Sequence, residues 1–194
     1  MITPIVFFFA IILYRIVAAV AGEHDTAWLN FSPLAAIALC GPLIFPRRVA
    51  FVLPLAILLV SDMILNAYFG FALVTGEMVA RYGVLALIAL AGLRLASRQG
   101  LGAFLPTSIA CSTGFYLITN TVSWLSEPLY AKSLAGWMQA LSIGLPGFPP
   151  TVWFYRNSLI SDFCFTAVML GCIVMTRRLR AEAGALGGSR KLPS

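Results

Sequence analysis

The sequence predicts an all-α fold: a polytopic transmembrane helical bundle of about six spans, N- and C-termini cytoplasmic, plus one external interfacial or half-inserted helix. Three observations carry this. The 194 residues are 60% hydrophobic and only 10% charged, with a mean hydropathy of +0.93, whereas a soluble domain carries about 25% charged residues. Apolar stretches of roughly 20 residues recur, more than a soluble core of this size absorbs. Finally, the basic residues gather at the ends of those stretches, as cytoplasmic loops require.

Helix 1 runs from Thr3 to Ala21. Its apolar run lacks a basic leading region and contains Arg15, so it reads as a retained helix and not a signal peptide. Helix 2, Phe31 to Phe45, opens with Ser32 as N-cap and Pro33 at the first helical position, and Gly41-Pro42 bends it. Helix 3 covers Val49 to Asn66, helix 4 Met78 to Leu95, helix 5 Ala103 to Leu125 and the last helix Asn157 to Thr176. Between the last two, Leu134, Trp137, Met138, Leu141 and Leu145 keep helical spacing, but Gly144, Pro146, Gly147, Pro149 and Pro150 forbid a straight span. This piece is the external interfacial helix. Residues 1–180 form one transmembrane domain, and the Gly- and Ala-rich 181–194 read as a disordered cytoplasmic tail.

Charge sets the topology. Arg47 and Arg48, Arg94 and Arg98, and Arg177, Arg178, Arg180, Arg190 and Lys191 mark three cytoplasmic ends, while Glu23, Asp25, Glu77 and Glu127 fall on the other side. The place is a bacterial inner membrane and the partner is the lipid bilayer. The net charge of +6 is spread over span ends and forms no stripe, so nucleic acid is not a partner. No period of 20 to 50 residues repeats; Ser61-Asp62 and Ser161-Asp162 are only two similar dipeptides.

Four ionisable residues, Arg15, Asp62, Arg81 and Asp162, lie inside spans, where isolated charges are costly. Each stands about 12 to 14 residues from the cytoplasmic end of its helix, roughly 18–21 Å at 1.5 Å per residue. They are expected to form one charge-compensated cluster. Asn120 reaches the same height, and Asn66, Tyr68, Trp124, Trp153, Arg156 and Asn157 lie nearer the outer surface. The result is a polar basin opening outward above an apolar floor. The candidate ligand site is Asp62, Arg81, Asn120 and Asp162 with Trp124 and Trp153 as apolar walls, supported by Arg15, Asn66 and Asn157. The alternative reading makes the same groups ties between helices.

Other chemistry is sparse. His24 is the single histidine, and Cys40, Cys111, Cys164 and Cys172 sit in apolar stretches with no CxxC, so neither a metal site nor a cofactor is expected, nor an enzyme. Trp28, Tyr68, Trp124, Trp137 and Trp153 read as interfacial anchors, and Gly41, Gly83, Gly92 and Gly171 as sites of close helix packing.

Asn30-Phe31-Ser32-Pro33 with the following Leu34 to Leu39, Ser61-Asp62, Thr119-Asn120 with Trp124, and Asp162 together resemble a family of small bacterial membrane proteins similar to the substrate-binding S components of energy-coupling factor (ECF) vitamin transporters. The resemblance covers Trp28 to Thr176. It implies six helices with both termini cytoplasmic, a vitamin-sized solute held near the external face, and partners consisting of an ECF-type membrane subunit and two ATPases. The chain has no G-x-x-x-x-G-K-[ST] phosphate loop, so ATP-driven uptake needs such partners. Small faces such as Ala35, Ala36, Ala38 and Cys40, or Ala18 and Gly22, suit either a partner helix or internal packing. A cobalt-bearing ligand held by Cys164 or His24 is one substrate option. The alternative from another class is a structural or assembly subunit of a larger membrane complex, without a ligand.

Overall fold

The computed structural model describes residues 2–22, 30–98 and 100–188. Glu23, His24, Asp25, Trp28, Arg190 and Lys191 lie outside the described residues. Those described are all-helical, with no strand: α1 (Ile2–Gly22), α2 (Leu34–Cys40), α3 (Arg47–Tyr68), α4 (Gly76–Ala96), α5 (Phe104–Ser126), α6 (Leu134–Leu141) and α7 (Thr151–Gly188). Among them α3, α4 and the Thr151–Ala183 part of α7 are long and apolar enough to cross a membrane. The chain is a membrane protein.

The short α2 lies at the centre, against α3, α4, α5 and α7. Ala36, Ile37, Ala38, Leu39 and Cys40 are all buried, so this helix is apolar all round, as a helix with neighbours on every side must be. Its extent differs from the expected Phe31 to Phe45. Pro33, not Ser32, takes the N-cap position, although the Ser32 hydroxyl accepts a 3.4 Å bond from the Leu34 N–H. At Gly41–Leu43 the chain passes into a 3₁₀ turn, because Pro42 has no N–H to continue the α-helical ladder. At 7 residues and 1.5 Å per residue, α2 is about a third as long as a bilayer core is thick.

Around α2 packs a layer of Leu53, Ile57, Val84, Leu85, Ile88, Phe104 and Leu170. Backbones approach most closely at Gly92, where a Cβ would collide with the Leu39 carbonyl and stand 2.9 Å from that of Ala38. Only this one of the four glycines read as packing sites serves that purpose: Gly41 has room at 3.7 Å from Ala50, and nothing lies within 4 Å at Gly83 or Gly171.

Two helices are longer or shorter than their sequence reading. α6 ends at Leu141, closed at its start by Ser133, whose side chain accepts from the Gly136 N–H. α7 starts six residues before Asn157 (Thr151), directly after Pro149-Pro150, and continues through 181–188, which were expected as disordered tail. Ala181, Glu182, Ala183 and Leu186 are strong helix formers and propagate a helix already nucleated. The remainder of that tail lies outside the described residues.

A polar cavity at one end of the bundle

α3 and α5 end, and α4 and α7 begin, at the same end of the bundle, and there the helices enclose a cavity of about 600 Å³. Three helices each give it one face at helical spacing. α4 contributes Glu77, Arg81 and Leu85; α5 contributes Ser112, Tyr116, Thr119, Asn120 and Ser123; α7 contributes Thr151, Phe154, Tyr155, Ser158 and Asp162. Arg15 of α1 and the non-helical Asn30 and Ser32 close one side, while Tyr130, Gly144, Leu145, Phe148 and Pro149, flanking α6, cover the top.

The charges divide into two groups. Asp62, 5% exposed at its side chain, pairs with Arg15 at 3.1 Å and with Arg81 at 3.8 Å, and the Tyr82 hydroxyl donates to it at 3.5 Å. Arg15 also donates to Ser61 at 2.8 Å and to Ser32 at 3.3 Å. This joins α1, α3 and α4 around one carboxylate. Asp162, 6% exposed, stands apart and accepts a 2.6 Å bond from Ser112. Among the described residues neither of the ion pairs within 4.0 Å includes it. The single four-charge cluster is therefore corrected to a triad and a separate acid. Equal depth fixes height along the helices but not the direction in which each side chain leaves its helix, and Asp162 leaves toward α5.

The floor is also less apolar than expected. One turn below Asp162, the Thr166 hydroxyl donates to Ser108 at 3.2 Å, and Ser108, Ser112, Ser161 and Thr166 are all buried. Ser112 donates to the Ser108 carbonyl as well as to Asp162, and Ser161 to the Ser158 and Ser32 carbonyls, which is how small polar residues are accommodated between apolar helices.

Of the residues read as a ligand site, Arg81, Asn120 and Asp162 line the cavity and Asp62 stands behind it, bound to two residues that do. Trp124 and Trp153 are not among its lining residues. The Trp124 indole N–H donates to the Ala131 carbonyl at 2.9 Å, and its own carbonyl accepts from Lys132, so it ties α5 to the α6 approach; Trp153 is 40% exposed. The aromatic walls are instead Tyr116 and Tyr155, stacked at 4.5 Å and 23°, with Phe115, Phe148 and Phe154. Among the supports, Arg15 lines the cavity, Asn157 is buried and accepts from Arg156, and Asn66 is spent on the Leu73 carbonyl at 3.3 Å. The Tyr130 phenol sits in the connection between α5 and α6; burial, then Glu127 and Glu77, push it above the ordinary tyrosine value, so it stays a neutral hydroxyl.

The cysteines are free. Cys164 is exposed on an apolar groove with Ile109, Leu159, Ile160 and Phe163, not in the cavity, so it is no candidate for a cobalt ligand there. Among the described residues no three His, Cys, Asp or Glu side chains gather as a metal site.

The fold and the cavity together define a small all-helical membrane protein with a charge-lined chamber at one end of its helix bundle. The chain belongs to the Family of unknown function (DUF6580), whose model matches residues 1–183. No curated protein and no solved structure matches it.

Proposed function

We propose that this protein captures a small, vitamin-like solute from outside a bacterial inner membrane and yields it to a separate energising module, in the manner of an ECF S component. The observation that carries this reading is the cavity itself: its volume of about 600 Å³ lies within the 300–1,000 Å³ usual for small-molecule sites, and three helices turn polar faces into it. In the proposed topology about six helical segments, with α2 as a short central one, place both termini in the cytoplasm. Supporting that orientation, Arg47, Arg48, Arg94 and Arg98 lie at the ends of α3 and α4 opposite to Asp62 and Arg81, while Glu77 borders the cavity. The positive-inside rule then turns the cavity outward. With no phosphate loop the chain binds but does not pump.

The rival reading, a structural or assembly subunit, is favoured by one observation: Asp62 has internal partners and needs no ligand. Against it, Asp162 has no cation beside it among the described residues, and Arg81 Nε is buried without a hydrogen-bond partner. The test is a screen of vitamins, cobalamins and other small solutes for thermal stabilisation of the purified protein, followed by uptake with and without candidate ATPase partners. Capture predicts a saturable rise in Tm for at least one solute. No rise for any solute, together with unchanged growth and uptake in D162N, would leave the structural subunit as the better reading.

A further inference from the structure

We propose that the solute taken by this cavity is an amphoteric ring compound, with a protonated nitrogen lodged at Asp162, an anionic or strongly accepting group at Arg81, and a planar ring between them against the tyrosines. This rests on the capture reading above and specifies its ligand.

The first support is a charge imbalance on each side of one cavity. Both arginines that line it, Arg15 and Arg81, share the single carboxylate of Asp62. Within that triad one positive charge is in surplus, and Glu77, which lines the cavity one turn from Arg81 on α4, forms no ion pair within 4.0 Å with it. The geometry assigns that surplus to Arg81: Arg15 meets Asp62 at 3.1 Å and two serine hydroxyls besides, whereas Arg81 reaches only to 3.8 Å and keeps a buried Nε with no acceptor. The Arg81 side chain lines the cavity and is 37% exposed, so an acceptor entering the cavity meets its guanidinium there.

The second support is Asp162. Its hydrogen bond comes from a neutral hydroxyl, Ser112, and the residue is only 6% exposed. An acid so placed either keeps its proton or is stabilised as a carboxylate by a cation, and a ligand ammonium or protonated ring nitrogen entering the cavity supplies that cation. Arg81 and Asp162 stand on α4 and α7, which are joined through their common neighbours α2 and α5. A ligand satisfying both must carry its two charges at separate ends.

The third support is the aromatic lining of the same cavity. Tyr116 and Tyr155 stack as a pair, and Phe115, Phe148 and Phe154 complete an aromatic lining. Flat π-faces favour planar rings and nearby cations over branched aliphatic groups. Thr119, Asn120, Ser123 and Ser158 add hydrogen-bonding groups able to meet ring substituents.

The test measures binding to the full chain in lipid nanodiscs by calorimetry and thermal shift, using indole, pyridine, pyrimidine and pterin scaffolds. Each scaffold is offered in four forms: with an amine and a carboxylate, amine only, carboxylate only, and neither. An aliphatic zwitterion of similar size serves as the fifth probe. The expected result is that for at least one scaffold the amphoteric form binds best, with single-charge forms weaker on the order of 30-fold or more, as loss of one desolvated charge partner implies. D162N should erase the advantage of the amphoteric form over the carboxylate-only form, and R81Q its advantage over the amine-only form. The wild-type series decides even if a variant fails to fold. If a single-charge, neutral or aliphatic probe binds best, or both substitutions weaken all forms alike, the ligand assignment is wrong while capture stands. If no scaffold binds but another solute does, the assignment falls in the same way. If nothing binds at all, capture itself falls.

Discussion

Asp62→Ala is expected to destabilise the fold by about 2–4 kcal/mol. The figure follows from the three groups that lose an acceptor. Arg15, 16% exposed and 3.1 Å from Asp62, loses a charge-assisted bond worth about 1.5–3 kcal/mol. Arg81, at 3.8 Å and 37% exposed, loses a pair worth about 0.5–1 kcal/mol. Tyr82, at 3.5 Å, adds little, since bonds of that length are weak. The loss is kept below the upper range for a broken buried pair because Ser61 and Ser32 still hold Arg15. Reversible unfolding in mixed micelles, followed by far-UV circular dichroism, reads the difference. The control is Glu127→Ala, which removes only an exposed 3.2 Å bond to the Leu129 N–H and should cost under about 1 kcal/mol. Replacing Arg15 and Asp62 together by Met and Leu should recover much of the loss, because the more buried arginine, Arg15, is then not left without its carboxylate, and the charge that remains, Arg81, is 37% exposed. If Asp62→Ala matches Glu127→Ala, or the double replacement is no better than the single one, the triad does not hold α1, α3 and α4 together.

Three further outcomes follow from particular contacts. Gly92→Ala forces a methyl against the Ala38 and Leu39 carbonyls and should cost about 1–3 kcal/mol through separation of α2 from α4; Gly83→Ala, with nothing within 4 Å, should instead stabilise by up to ~1 kcal/mol, and the two melting curves should move in opposite directions. Gly144 has φ +70° and would place a Cβ 2.7 Å from the Thr151 hydroxyl, so Gly144→Ala should lower Tm more than Gly147→Ala, which also has a positive φ, +89°, but whose surroundings are open. Cytoplasm-dependent reporter fusions should be active after Arg48, Arg98 and Ser194 and silent after Glu77 and Glu127; activity after Glu127 or silence after Ser194 contradicts the proposed topology.

How much of this was legible in the sequence depends on which coordinate each signal reports. Hydropathy reports where a helix is long and apolar, and the lengths of α3 and α4 followed from it to within two residues at each end. It does not report neighbours. α2, apolar but short, became the hub of the bundle only through the packing of four other helices on it. Depth counting found the common level of Arg15, Asp62 and Arg81, yet not the separate direction of Asp162. Tryptophans that end apolar runs read as walls, but a residue at a helix end is as free to bind loop carbonyls as to face a cavity, and Trp124 does the former. A better signal was present: Ser112, Tyr116, Thr119, Asn120 and Ser123 on α5, and Thr151, Phe154, Tyr155, Ser158 and Asp162 on α7, follow the helical repeat and mark both polar faces.

The irregular backbone supplies the last link. In hydrocarbon, a peptide group outside a helix is tolerated only where it is buried in protein or borders a polar space. Two non-helical stretches meet this cavity: Asn30 and Ser32 ahead of α2, and the Gly144 to Pro149 turn after α6. Asn30 holds the left-handed φ of 56°, and the Ser32 N–H and carbonyl are both engaged by the Ser161 hydroxyl. After α6, Gln139 donates to the Gly144 carbonyl and the Val152 N–H bonds back to the Ser142 carbonyl. Thus the helix breaks, the cavity and the charges depend on one another. Both breaks border the space that Arg81 and Asp162 share, and of those two charges Asp162 is the one with no ion pair within 4.0 Å among the described residues.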